Sequence, residues 1–83
     1  MGKQATARNG SLAAGAGSSA TGHVSSAVGH SAQATGRAAS AFGNNARAQA
    51  DNATAVGSAT VAQQNGTAVG THSAAGVNAA ALG

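Results

Sequence analysis

Residues 37–57 read RAASAFG, NNARAQA, DNATAVG: three seven-residue units in a row. Each unit has a small residue at its third position, Ala at its fifth and a small residue at its seventh. Small residues at alternate positions follow period two, the side-chain period of a β-strand. A strand face that admits only Gly, Ala, Ser or Thr must lie against another backbone at close range. The first two positions of each unit hold Arg-Ala, Asn-Asn or Asp-Asn, and the Asn and Asp among them suit a turn. Each unit therefore reads as a short strand followed by a tight corner.

The pattern runs outward in both directions. Cut at the recurrent Gly, the chain gives NGSLAAG, AGSSATG, HVSSAVG, HSAQATG, RAASAFG, NNARAQA, DNATAVG, SATVAQQ, NGTAVG, THSAAG and VNAAALG. Nine of these eleven units have seven residues, and NGTAVG and THSAAG have six. On this cut the fifth position is always Ala: Ala13, Ala20, Ala27, Ala34, Ala41, Ala48, Ala55, Ala62, Ala68, Ala74 and Ala81. Self-similarity at a fixed period marks a repeat architecture whose units stack.

The sixth position sorts the units into two alternating sets. One set carries Val28, Phe42, Val56, Val69 and Leu82; the other carries Thr21, Thr35, Gln49, Gln63 and Ala75. The full repeat is therefore about fourteen residues, with two strands per coil. The expectation is an all-β parallel β-roll, a two-layered solenoid. The third, fifth and seventh positions face inward, and Ala13, Ala27, Ala41, Ala48, Ala55, Ala62 and Ala68 belong to the inner layer. Outside, one face is apolar and the other is Thr and Gln. A contiguous apolar stripe on a soluble protein marks an interface. The corner residues His23, Arg37, Asp51 and Asn65 form a ladder, with the only acid one coil from Arg37 and so placed for a surface ion pair, worth about 0–1 kcal/mol. Residues 1–8 read as an N-terminal leader or expression residues, and 9–83 as the roll, itself a fragment of something longer.

Composition explains why the chain needs such a fold. It has 83 residues, 42% apolar, with one Phe, one Met, no Trp, no Tyr, no Pro and no Cys. An Ala methyl contributes only about 0.8 kcal/mol when buried, whereas ordering a residue costs about 1.5 kcal/mol. An ordinary globular core is out of reach, which leaves disorder or a tightly packed repetitive fold that oligomerises. Charged residues are only 6% of the chain, and disordered chains usually carry more. The net charge is +3, but Lys3, Arg8, Arg37 and Arg47 are dispersed and one Phe is the only Phe, Tyr or Trp for base stacking, against a nucleic-acid interface. No Cys means no disulfide framework. No stretch reaches the roughly 18 consecutive apolar residues of a membrane helix, so direct membrane insertion of this fragment is not expected. Gly recurs every seven residues rather than every three, unlike a collagen triple helix.

DNATAVG followed by SATVAQQ, and RAASAFG followed by NNARAQA, resemble the head repeat of YadA-type trimeric autotransporter adhesins. That repeat has the form S-V-A-I-G followed by x-x-A-x-A-x-G. The resemblance covers about residues 9–83. Here Ala50 and Gln64 stand in place of the Gly, and the apolar pair is usually reduced to one residue. The resemblance implies a left-handed roll with three chains around one axis, carried on a fibre at the outer surface of a Gram-negative bacterium. Such fibres are anchored in the outer membrane through C-terminal parts that this sequence lacks. It further implies adhesion to extracellular-matrix proteins such as collagen.

The residues then take roles. Val28, Phe42, Val56, Val69 and Leu82 are the expected trimer interface. Thr21, Gln33, Thr35, Arg47, Gln49 and Gln63 form the candidate ligand-facing surface. His23 and His30 lie on opposite corners of one coil and His72 is distant, so solvated corners are expected rather than a metal site, and no cofactor is expected. Asp51 is the only carboxylate, so paired acid/base catalysis has no second partner and an enzyme is not expected. Three N-x-Ser/Thr triplets, at Asn9, Asn52 and Asn65, are products of the repeat. The function expected is an adhesin head. The alternative is a rigid spacer within a surface fibre with no ligand of its own. An ice-binding solenoid would need a long flat Thr array, which Gln49, Gln63 and Ala75 interrupt.

Overall fold

The computed structural model describes residues 5–8 and 10–82. Among these, twelve strands of two or three residues alternate between two parallel six-stranded sheets. The first sheet is built from β1 (Thr6–Ala7), β3 (Ser19–Ala20), β5 (Gln33–Ala34), β7 (Arg47–Ala48), β9 (Val61–Ala62) and β11 (Ala74–Ala75). The second is built from β2 (Leu12–Ala14), β4 (Ser26–Val28), β6 (Ser40–Phe42), β8 (Thr54–Val56), β10 (Thr67–Val69) and β12 (Ala80–Leu82). Each strand pairs with the strand one full coil away, so the chain is a parallel β-solenoid. The roll takes in residues ahead of 9: Thr6 and Ala7 pair with Ser19 and Ala20.

The core is a double layer of small side chains. Ala20, Ala27, Ala34, Ala41, Ala48, Ala55, Ala62 and Ala68, all at the fifth position, are fully buried, and Ala13 nearly so. Facing them from the third position are Ala32, Ala39, Ala46 and Ala53, with Ser18, Ser25, Thr60 and Ser73. The molecule measures 30 × 22 × 10 Å. Sheets with ordinary side chains sit about 10 Å apart, so a slab this thin has room for little beyond a methyl or hydroxyl between its layers. The buried hydroxyls are satisfied locally. Ser18 Oγ donates to the Gly15 carbonyl (2.9 Å), Ser25 Oγ to Gly22 (2.8 Å) and Thr60 Oγ1 to Gly57 (3.2 Å). No buried side-chain polar atom lacks a partner among the described residues.

The corners are four-residue turns. The Ala46 N–H donates to the Gly43 carbonyl (3.3 Å), and the third turn residue, Asn45, has φ 61°. A positive φ at that place is the mark of a type II turn. The corners also extend the ladder. The Asn52 N–H donates to the Arg37 carbonyl one coil before (2.8 Å), and the Asn45 N–H donates to His30 (2.9 Å). Hydrogen bonding between coils thus runs through strand and corner alike.

Three sequence expectations change here. First, the seventh position does not face the opposite sheet; it is small because coils stack there. At Gly57, φ is 125° and an added Cβ would lie 2.7 Å from the Gly70 carbonyl oxygen of the next coil. Second, the six-residue units are cut differently. Ala75, not Ala74, pairs with Ala62 and is buried, while Ala74 pairs with Val61 and is exposed. Asn65, with φ 56°, occupies the second corner place, its N–H donating to the Asp51 carbonyl (3.0 Å). The units are therefore SATVAQ (58–63), QNGTAVG (64–70) and THSAAG (71–76), and both short ones lack the seventh residue. Gln64 replaces no Gly and follows Asp51 in the corner ladder where Asn65 was expected. Ala75 leaves the polar row, and Gly76 follows it at the sixth place. Third, the Asp51 carboxylate accepts the backbone N–H of Arg37 (3.0 Å), so the contact between these coils is to main chain.

Candidate assembly and ligand-facing surfaces

Outward-facing places are the fourth and sixth of each unit, so each sheet presents two columns. On the second sheet the sixth-place column is continuous. Ala14 pairs with Val28, Val28 with Phe42, Phe42 with Val56, Val56 with Val69 and Val69 with Leu82. The five residues expected at a trimer interface thus stand in one line, and Ala14 heads it. Val28, Val56 and Val69 are half-buried by their neighbours, whereas Phe42 is 39% and Leu82 77% exposed. Beside this line runs the fourth-place column, Leu12, Ser26, Ser40, Thr54, Thr67 and Ala80. The second face is therefore half apolar and half hydroxyl. Leu12, 43% exposed, was missed because its unit, NGSLAAG, alone places a large apolar residue at the fourth position of that sheet.

The first sheet presents a polar face. Ser19, Gln33, Arg47 and Val61 form its fourth-place column. Thr21, Thr35, Gln49 and Gln63 follow their strands at the sixth place, each N–H donating to an Ala carbonyl one coil on (3.0–3.2 Å). Thr35 Oγ1 also donates to the Gln49 carbonyl (3.4 Å). Arg8 joins this column, since its N–H donates to Ala20 (3.1 Å) and the residue is exposed. Counting back thirteen from Ser19, Ala20 and Thr21 gives Thr6-Ala7-Arg8, a near-repeat that the first cut overlooked. Arg8 and Arg47 place two cations on one flat surface.

The remaining candidates are separated. His23 stands at the first corner place on one edge, His30 at the first on the other, and His72 at the second place beyond Ser58. All three are exposed, and His30 Nδ1 lies 3.3 Å from Ser31 Oγ. No group of three or more metal-ligating side chains occurs among the described residues. The same residues enclose no pocket. What the structure offers a partner is therefore surface: one flat polar sheet, one mixed sheet and two corner edges. Of the triplets, Asn52 and Asn65 are exposed at one corner, and Asn9 lies outside the described residues.

Comparison with known families agrees with this geometry. The YadA head domain repeat matches twice, over residues 20–46 and 34–60. The two matches are offset by fourteen residues (34 minus 20), the coil length found in this part of the roll. No curated protein matches the chain. Strand pairing and family match therefore count the same repeat, and residues 20–60 carry the YadA head domain repeat.

Proposed function

We propose that the chain is part of the head of a trimeric autotransporter adhesin, in which three copies of a left-handed roll pack their second sheets around one axis and present their first sheets outward. The observation that carries this reading is the unbroken column Val28, Phe42, Val56, Val69 and Leu82 on one outer face, opposite a face of Thr, Gln and Arg. A soluble solenoid gains nothing from an apolar column on one face only, whereas assembly buries it. The polar face has no pocket, so attachment there is shallow. Affinity then comes from many copies on one surface, each repeat adding a weak contact. Extracellular-matrix proteins, collagen among them, are the ligand class this reading assigns, at the outer surface of the bacterium.

The test has two parts. Light scattering behind a sizing column should give three times 7.6 kDa. Immobilised collagen should then retain the trimer, and retain Arg47→Glu more weakly. A trimer that binds no matrix protein would favour a rigid spacer, and a monomer at all concentrations would overturn the assembly.

A further inference from the structure

A repetitive interface has a problem of alignment. Neighbouring layers of the apolar column are nearly alike: Val28, Val56 and Val69 occupy equivalent places at coil intervals. Coils are about 4.8 Å apart. Three chains could therefore slide past one another by a coil and still set Val beside Val. The flanking column is no more discriminating away from its ends Leu12 and Ala80: Ser26, Ser40, Thr54 and Thr67 are all small hydroxyls. Only the end layers lose partners in such a slip.

One residue breaks the degeneracy. Phe42 is the only Phe, Tyr or Trp in the protein, it lies in the middle of the column, and it projects further than its neighbours, 39% exposed where the Val residues are half-buried. We infer that Phe42 sets the axial register of the assembled chains: it admits the alignment that puts all copies of Phe42 in one layer and rejects those that set it against Val28 or Val56. This rests on the second sheet being the interface between copies. A slipped chain leaves one layer with two rings and another with one. Side chains at a close-packed contact tolerate neither the overfilled layer nor the void. Phe42 is thus a register residue, and its contribution to simple burial is secondary.

Cysteine pairing separates the two roles. Val56→Cys alone reports the interface, because like residues of aligned chains share a layer. A mixture of Val28→Cys chains with Val56→Cys chains reports slippage. In aligned chains these residues lie two layers apart, about 9–10 Å, beyond the roughly 7 Å over which a disulfide forms. Each slip of one coil in the right sense brings them a layer closer.

With Phe42 present, the expected result is a Val56→Cys self-disulfide and a mixed disulfide at background. With Phe42→Val, the mass stays that of the assembly while the mixed disulfide rises to a yield comparable with the self-disulfide. Moving the ring, in Phe42→Val with Val69→Phe, should return the mixed product to background. This second variant also covers the case in which Phe42→Val alone fails to assemble. A self-disulfide with a mixed yield that ignores both variants would overturn the register role and leave the interface standing. A monomeric mass with no self-disulfide in the Phe42 protein would overturn the interface itself.

Discussion

Val24 tests whether the corners or the strands limit stability. It occupies the third residue of the turn that starts at Gly22, with φ 56°, and is 59% exposed. A β-branched residue in the left-handed region is a genuine outlier, and that conformation costs an L-residue about 1–2 kcal/mol. Asn tolerates it best among residues other than Gly, and Asn45, Asn52, Asn65 and Asn78 already occupy the matching place in other coils. Val24→Asn therefore relieves most of the strain. Against this, full burial of a Val is worth about 1.5–3 kcal/mol, and less than half of Val24 is covered. Asn retains part of that contact through its own Cβ. The net expectation is a gain of about 0.5–1 kcal/mol, or roughly 2–8 °C in Tm for a domain of this size. Val24→Gly relieves the same strain but loosens the unfolded chain by about 0.4–1 kcal/mol, so it should rank between Asn and Val. Melting followed by circular dichroism at one fixed protein concentration is the assay, because assembly makes Tm concentration-dependent. A Val24→Asn protein that melts below the parent would refute the argument and show that Val24 is held by contacts worth more than its backbone strain.

Val56→Asp puts a charge in the middle of the apolar column and should give a monomeric mass in light scattering. Gln49→Lys, on the opposite face, should leave the mass unchanged, and the reverse pattern would mean that the faces are exchanged. Ala55→Leu forces three extra carbons into a fully buried place of a 10 Å slab. It should cost at least the roughly 1–3 kcal/mol of ordinary overpacking, read as a lower denaturation midpoint. Gly36→Ala should be severely destabilising, since its Cβ would run into the Ala50 backbone of the next coil. Ala50→Gly should cost only about 0.4–1 kcal/mol through the unfolded state, because the coil beyond has no seventh residue to stack there.

The period-two run of small residues and the alternation at the sixth position were enough to read two sheets, the buried Ala layer and the apolar column from the sequence. What the sequence concealed lies where a residue is missing. Cutting at each Gly placed Ala74 in the core and Gln64 at a seventh position. Type, however, does not distinguish Ala74 from Ala75, and Gly70 and Gly76 look alike in one-letter code. Only the pairing of Ala75 with Ala62 and the positive φ of Asn65 separate them. The start of the roll was hidden for a similar reason: Thr6-Ala7-Arg8 fits the template, but its coil is one residue shorter, so Thr6 pairs with Ser19 at a step of thirteen. Function was legible only as surface, because the residues that differ from coil to coil are the ones on the outer faces and corners.

A core of methyl groups gives each coil little hydrophobic stabilisation, so the order of the roll depends on repetition. Neighbouring coils exchange the same bonds at strand and corner, as when the Gln33 N–H donates to the Ala46 carbonyl of the following coil (2.8 Å) and the Asn45 N–H to the His30 carbonyl of the preceding one (2.9 Å). Such a ladder has nearest-neighbour energetics: a coil is stable because its neighbours are in place. Damage at one coil then propagates to both sides. This makes Gly36 and Gly43, whose added Cβ atoms would each strike the next coil's backbone, more critical than any single Ala in the layer between the sheets. It also separates two requirements that ordinary cores combine. Contacts along the axis hold each chain in its roll, and the outward column from Val28 to Leu82 is, in the proposed assembly, the part that joins the chains. A roll built this way can change its polar face one residue at a time, as Gln33, Arg47 and Val61 differ along a single column, without altering either the stacking of coils or the opposite face.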